Sequence, residues 1–171
     1  VLDFAPQEVG NHLFGSAITA GPDRMTSAGA KGVPQIVSIG CYDLVDLVGW
    51  HPVPPHLEGL PGHAHNRLLS SVVLDAEGRR KVARAIMGKL AAATGEVVFL
   101  LPTRGGNEWD RDGGPLCDPE GLAAFVAEVR AACPPNVRLV ELDAHINDPA
   151  FSEAALAVVD GWIAENRLPK A

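Results

Sequence analysis

Aromatic residues are scarce in this sequence, at 5% of its 171 residues, and they do not alternate with basic ones. A surface that stacks bases on aromatic rings inside a positive field is therefore not encoded. Basic charge is also short: 14 Lys and Arg stand against 21 Asp and Glu, a formal charge of −7. Phosphate-backbone binding needs the opposite balance, so nucleic acid is not expected as a partner. The one basic cluster, Arg79-Arg80-Lys81, falls in a helical pattern and reads as a solvated face. Long apolar runs are missing too. Nothing approaches the roughly 20 residues that cross a bilayer, and no signal peptide opens the chain. The three cysteines, Cys41, Cys117 and Cys133, are odd in number and lack metal-ligand spacing. They suit a reduced cytoplasmic setting better than a disulfide framework.

What is present describes one α/β domain with a substantial core, at 47% hydrophobic and 20% charged residues. Short runs rich in Val, Ile and Leu, bounded by Gly or Pro, alternate with helical patterns, as in a mostly parallel sheet of about four or more strands. Strands are expected at residues 34–39, 96–101 and 137–142, with the end of another at 1–4. Asp118-Pro119-Glu120 and Asp148-Pro149 each supply an N-cap followed by a proline at the first helical position. They lead into the stripes Leu122, Phe125, Val126, Val129 and Phe151, Ala155, Val158, Trp162. A third helix is expected over 75–94, with Val82, Ile86 and Leu90 on one face, and a fourth over 22–32. The opening at Val1 rather than Met suggests a piece of a longer protein.

Two loops exceed ordinary connection lengths, 49–67 with four histidines and 103–117 with two Gly-Gly pairs. Ligands in open α/β sheets bind beyond the C-terminal strand ends, where the second loop and residues 143–148 fall. Gly21, Asp23 and Arg24, at an expected helix start, fit an anion site or a simple capped turn. Gly105-Gly106 and Gly113-Gly114 could present backbone N–H groups to a phosphate, or serve only loop flexibility. Asp110 and Asp112 offer oxygens to a metal. His145 is the candidate for proton transfer, with Asn147 beside it and Asp148 as the cap of the final helix. His63 and His65 alternate, so both rings should share a side and could join His145 and Asp148 around a metal. Cys117, just before a helix, and Cys41, after a strand, are weaker nucleophile candidates than small buried thiols.

Ala20-Gly21-Pro22-Asp23-Arg24, the strand Pro34 to Gly40 followed by Asp43, His65-Asn66, Leu101-Pro102, Gly113-Gly114-Pro115 with Asp118-Pro119, and His145-Ile146-Asn147-Asp148-Pro149 occur in that order. This series resembles the C-terminal half of the ATP-binding family whose plant member is the tomato mosaic virus resistance protein. The resemblance implies a two-lobed Rossmann-like protein with the N-terminal lobe absent here, and ATP as cofactor or ligand. It makes the residues of these motifs, Gly21, Asp23, Arg24, Asp43, His65, Asn66, Asn147 and Asp148 among them, the expected contacts. The family pattern has a Met-Arg-Thr-Thr-like stretch after the His-Asn pair, where this chain has Ser70-Ser71-Val72-Val73; a phosphate contact from that arginine is then lost or falls to Arg67. The family also has alanine and tyrosine where this chain has Cys41 and Cys117. The expected function is a nucleotide- or phosphometabolite-binding lobe. A metal-assisted enzyme acting on a small organic acid or its phosphate, and a protein-interaction module near Trp50, are the alternatives. The surface left by the absent lobe would favour a homodimer.

Overall fold

A computed structural model describes residues 1–167 of the chain. Four strands, β1 (Leu2–Asp3), β2 (Gln35–Val37), β6 (Val97–Pro102) and β7 (Val137–Leu142), form a parallel sheet in the order β1-β2-β6-β7. Helices flank it on both faces, so the domain is a Rossmann-like α/β lobe. Every residue of β6 is buried, as a central parallel strand covered on two sides should be. Its alternate side chains divide between two cores. Val97, Phe99 and Leu101 meet α3 (Ala76–Ala91) and α4 (Pro119–Ala132) through Val82, Ile86, Leu90, Phe125 and Val129. Val98 and Leu100, with Ile36 of β2, meet Phe151, Ala155 and Trp162 of α5 (Pro149–Ala164). Each such fully buried apolar side chain stabilises the fold by roughly 1.5–3 kcal/mol.

A second sheet comes after the Cys41 turn. It contains β3 (Leu44–Val48), β4 (Gly62–Ala64) and β5 (Leu69–Val73), antiparallel in the order β3-β5-β4. The apolar periodicity does not predict this sheet, because Asp46, Ser70 and Ser71 interrupt its runs. In register, Asp46 stands opposite Ser71, and Ser70 stands opposite Leu47. Helix α1 (Gln7–Leu13) was likewise not expected, and it packs on β3.

The helix expected over residues 22–32 shrinks to α2, Ser27–Ala30. Gly21 and Met25 adopt φ of 85° and 74°, and a helix cannot run through that left-handed geometry. The long loop 49–67 contains a 3-10 turn at Pro55–Leu57 as well as β4, and the loop 103–117 contains a 3-10 turn at Glu108–Asp110.

Candidate functional site

The loop leaving β6 folds back under the β7–α5 turn and ties itself there with buried polar groups. Gly105 has a φ of 127°; a Cβ on it would collide with the Asp110 carboxylate and come within 2.6 Å of His145 Cδ2. Only glycine leaves room for both side chains. Asp110 turns back and accepts the Gly106 N–H at 2.7 Å and the Asn107 N–H at 3.3 Å. His145, 2% exposed, places Nε2 at 2.9 Å from both Asp110 Oδ1 and the Asn107 carbonyl. Its Nδ1 accepts the Asn147 N–H at 3.1 Å. An acceptor at Nδ1 fixes the proton on Nε2, from which it is donated to Asp110 and Asn107. Both nitrogens of the sequence-chosen proton carrier are thus occupied within the fold.

Asp148 stands at the N-cap position of α5, but its side chain makes no cap hydrogen bond to that helix. It accepts the His145 N–H at 2.8 Å and Arg111 Nη1 at 3.2 Å, contacts that hold its carboxyl below the usual range. The expected cap is therefore a clasp across the turn. Asn147 Nδ2 donates to Glu108 at 2.9 Å, a further side-chain tie between this turn and the loop.

Beneath the knot lies a buried pair of opposite charges. Asp43 is fully buried, and its Oδ1 accepts Asn107 Nδ2 at 3.0 Å. Burial pushes its carboxyl up to about 6, with Asp110 adding to the shift and Arg79 opposing it. Arg79 is 1% exposed, which corrects the reading of Arg79-Arg80-Lys81 as a solvated face. Its Nε donates to the Leu74 carbonyl at 2.8 Å, and Nη1 reaches Tyr42 Oη and the Asp118 carbonyl at 3.4 Å. Nη2 lies 2.9 Å from Asp118 Oδ2 and 3.7 Å from Asp43 Oδ2. These are charge contacts that lack hydrogen-bond geometry, so Arg79 Nη2 and Asp43 Oδ2 are both buried without a hydrogen-bond partner. Asp118 also caps α4 by accepting the Gly121 N–H at 3.0 Å, the cap expected from the sequence.

Arg79 and Asp118 open onto a cavity of about 690 Å³ whose rim includes Thr103, Arg104, Asp112 and Asp143. It lies at the C-terminal ends of β6 and β7 and beside the first turn of α4. Arg104 is held by both oxygens of Asp143, at 2.6 and 2.7 Å. Arg130, also on the wall, is paired in the same way with Glu141. Those two arginines are paired at the rim, whereas Arg79, beside Asp118, is the buried cation on the wall.

The other sequence-chosen residues lie elsewhere. Arg24 pairs with Asp3 at the end of β1 and with Glu8 at 3.3 Å, and it lines a separate cavity with Asp23. Gly21 lies in the turn before α2, away from any helix start. Asn66 Oδ1 accepts the Leu68 and Leu69 N–H groups at 2.7 and 3.0 Å and so shapes the β4–β5 turn. His63 stacks on Trp109 at 4.5 Å and His65 meets the same ring edge-on at 5.0 Å, while His145 binds Asp110. Among the described residues, no group of three or more His, Cys, Asp or Glu is arranged to hold a metal ion. Gly113 and Gly114 form the turn after Asp112, where the Gly114 N–H donates to the Arg111 carbonyl at 2.7 Å. Sequence reasoning missed Arg79, Asn107 and Asp118 as members of the site. The short Asp118-Pro119-Glu120-Gly121 turn was the one available signal, since a Cβ at Gly121 would lie 2.5 Å from Arg79 Cζ.

The model of the "Uncharacterised protein family (UPF0261) C-terminal domain" matches residues 1–163. The chain belongs to this family. A UPF0261 protein of Brucella melitensis is 49% identical over 170 residues, covering 99% of this chain and 41% of the relative. A UPF0261 protein of Mesorhizobium japonicum is 31% identical over 162 residues, 94% of this chain and 41% of the relative. The ToMV resistance protein Tm-1 of Solanum lycopersicum is 28% identical over 165 residues, 95% of this chain and 22% of that protein. The UPF0261 domain therefore spans about two-fifths of the bacterial relatives it matches. No helix among its described residues is long and apolar enough to cross a membrane.

Proposed function

We propose that this UPF0261 domain is one half of a small-molecule-binding protein and takes the phosphate of a nucleotide or phosphorylated metabolite in the cavity beside Arg79. The observation that carries this reading is the buried Arg79 Nη2, which lacks a hydrogen-bond partner on the wall of a space at the strand ends. A guanidinium binds phosphate with two parallel N–H donors, and the first turn of a helix adds a favourable dipole. Asp118 occupies that position now, and its side chain is 41% exposed. An incoming phosphate replaces the Asp118 carboxylate, which turns outward to solvent. The remainder of the ligand extends toward Arg104 and Asp112 and is covered by the N-terminal part of the longer family proteins. The family resemblance makes ATP the first ligand to test.

The test compares melting temperatures of the wild type and Asp118→Asn with ATP, ADP and inorganic phosphate, in this chain and in a longer family protein containing it. Asparagine keeps the α4 cap but removes the competing charge, so the ligand-induced shift should grow in the variant. No shift in any combination rejects the reading.

One observation favours a second reading. Trp50, just after β3, is 64% exposed and Val53 is 39% exposed, an apolar surface of the kind that binds another protein. A second copy of this chain is the simplest occupant. Sedimentation of the wild type and Trp50→Ser decides it: loss of a dimer in the variant supports the reading, and two monomers reject it.

A further inference from the structure

On the opposite side of the Glu108–Asp110 turn lies a smaller cavity, about 330 Å³, whose walls include Cys41, Leu44, Asp46, His65, Leu69 and Trp109. Its polar end is built around Asp46. Oδ1 accepts Gln7 Nε2 at 2.9 Å and Ser71 Oγ at 2.7 Å, while Oδ2 accepts Asn11 Nδ2 at 3.1 Å. Asn11 Oδ1 accepts the Asp46 backbone N–H at 2.8 Å, which locks the pair together. Both carboxylate oxygens act only as acceptors, the pattern of the ionised form. A carboxylate has about four acceptor positions; three are filled, and the open one is on Oδ2. Asp3, Asp110, Asp118, Asp143 and Asp148 each face an arginine or histidine, whereas Asp46, like Asp23, Asp75 and Asp112, has no ion-pair partner among the described residues.

The remaining walls suit an apolar body. Trp109 offers its ring, with His63 stacked on it and His65 at its edge. The single hydroxyl proton of Ser71 goes to Asp46, so His65 Nε2, 3.0 Å from Ser71 Oγ, is the donor of that contact. His65 is thereby oriented as a ring wall with its Nε2 proton committed. Cys41 is kept a neutral thiol: burial pushes it up to about 11, and the carboxylates of Asp43, Asp46, Asp110 and Glu8 all act in the same direction.

We propose that this second cavity binds a small planar cation, an amidinium-, guanidinium- or amine-bearing ring, with its face on Trp109 and its positive end at the open position of Asp46. The cation supplies the counter-charge that the Asp46 carboxylate lacks, and an aromatic face adds a quadrupole attraction. This site is independent of the phosphate reading, because it involves no residue of the Arg79 cavity.

Benzamidine and benzoate are a matched pair of probes: the same ring with opposite charge. Each is titrated into the full isotope-labelled chain while the amide resonances of Cys41, Asp46, His65 and Leu69 and the Trp109 indole resonance are followed. Benzamidine should bind saturably in the millimolar range, as its size allows, with shifts confined to these residues, and benzoate should bind at least roughly tenfold more weakly. Asp46→Asn should weaken benzamidine by roughly tenfold, and Trp109→Leu should weaken it without changing the preference over benzoate. Equal binding of the two probes, shifts centred on other residues, or no saturable shift from benzamidine would each overturn the proposal, and all three are read on the wild type even if a variant fails to fold.

Discussion

Arg79 Nη2 stands 3.7 Å from Asp43 Oδ2 in an interior where both side chains are buried and neither of these atoms makes a hydrogen bond. A buried charge is tolerated because an opposite one lies beside it, and removing either member leaves the other exposed to the full cost of desolvation.

Truncating one partner should therefore cost much more than truncating both. Arg79→Met and Asp43→Asn are each expected to destabilise the domain, the arginine change by roughly 3–5 kcal/mol. The double variant should fall well short of the sum. Urea unfolding of the four proteins gives the coupling directly, and strict additivity would show that the two charges do not stabilise each other.

Stability should also vary with acid in a defined direction. The Asp43 carboxyl is raised by burial to about 6, from an ordinary value near 4 in the unfolded chain. Between those values the folded state holds the extra proton, so the Asp43 contribution is fully present below about 4 and is lost as pH rises to about 6. The effect is on the order of 3 kcal/mol. The stability difference between wild type and Asp43→Asn, measured by urea unfolding at intervals of pH, should decline across that window and level off above it. A flat difference would contradict the raised value.

His145→Ala is expected to loosen the fold as well as any ligand site. Its ring fills a buried position, and its loss leaves Asp110 Oδ1 without the Nε2 donor at 2.9 Å. Loss of the strongest donor to Oδ1 of a buried carboxylate, together with a cavity, costs roughly 2–4 kcal/mol. Unchanged stability together with lost ligand affinity would instead restore His145 to the proton-transfer role suggested by its place in the sequence.

Gly105→Ala tests the loop by geometry alone. The φ of 127° and the approach of a Cβ to Asp110 and His145 predict a loss of roughly 2–4 kcal/mol. Gly88, with open space around its Cβ position, is the control: alanine there, inside α3, should stabilise by up to about 1 kcal/mol. Calorimetry of both variants would show whether the loop has the rigidity described.

The parallel sheet and its three long helices were legible because each rests on local signals. β6 is an unbroken apolar run ended by Pro102, and α4 and α5 begin with Asp-Pro. The antiparallel sheet was not legible because its polar residues are satisfied by partners distant in sequence: Asp46 looks unfit for a strand until Gln7, Asn11 and Ser71 surround it. Arg79 was misplaced for the same reason. Nothing in Arg79-Arg80-Lys81 distinguishes the arginine that points inward, and the difference is made by Asp43, Leu74 and Asp118. The sequence marks His145 and the Gly105-Gly106 pair, but the occupation of both ring nitrogens depends on Asn107, Asp110 and Asn147.

The strand order β1-β2-β6-β7 advances in one direction only. Open α/β sheets form their natural crevice where the order reverses and adjacent loops diverge to opposite sides. No such reversal occurs within these four strands, so the gap between diverging loops has to come from a strand added beyond β1 or be replaced by other means. Here the replacement is the inserted antiparallel sheet and the Glu108–Asp110 turn, which give the domain walls that the winding of its main sheet does not.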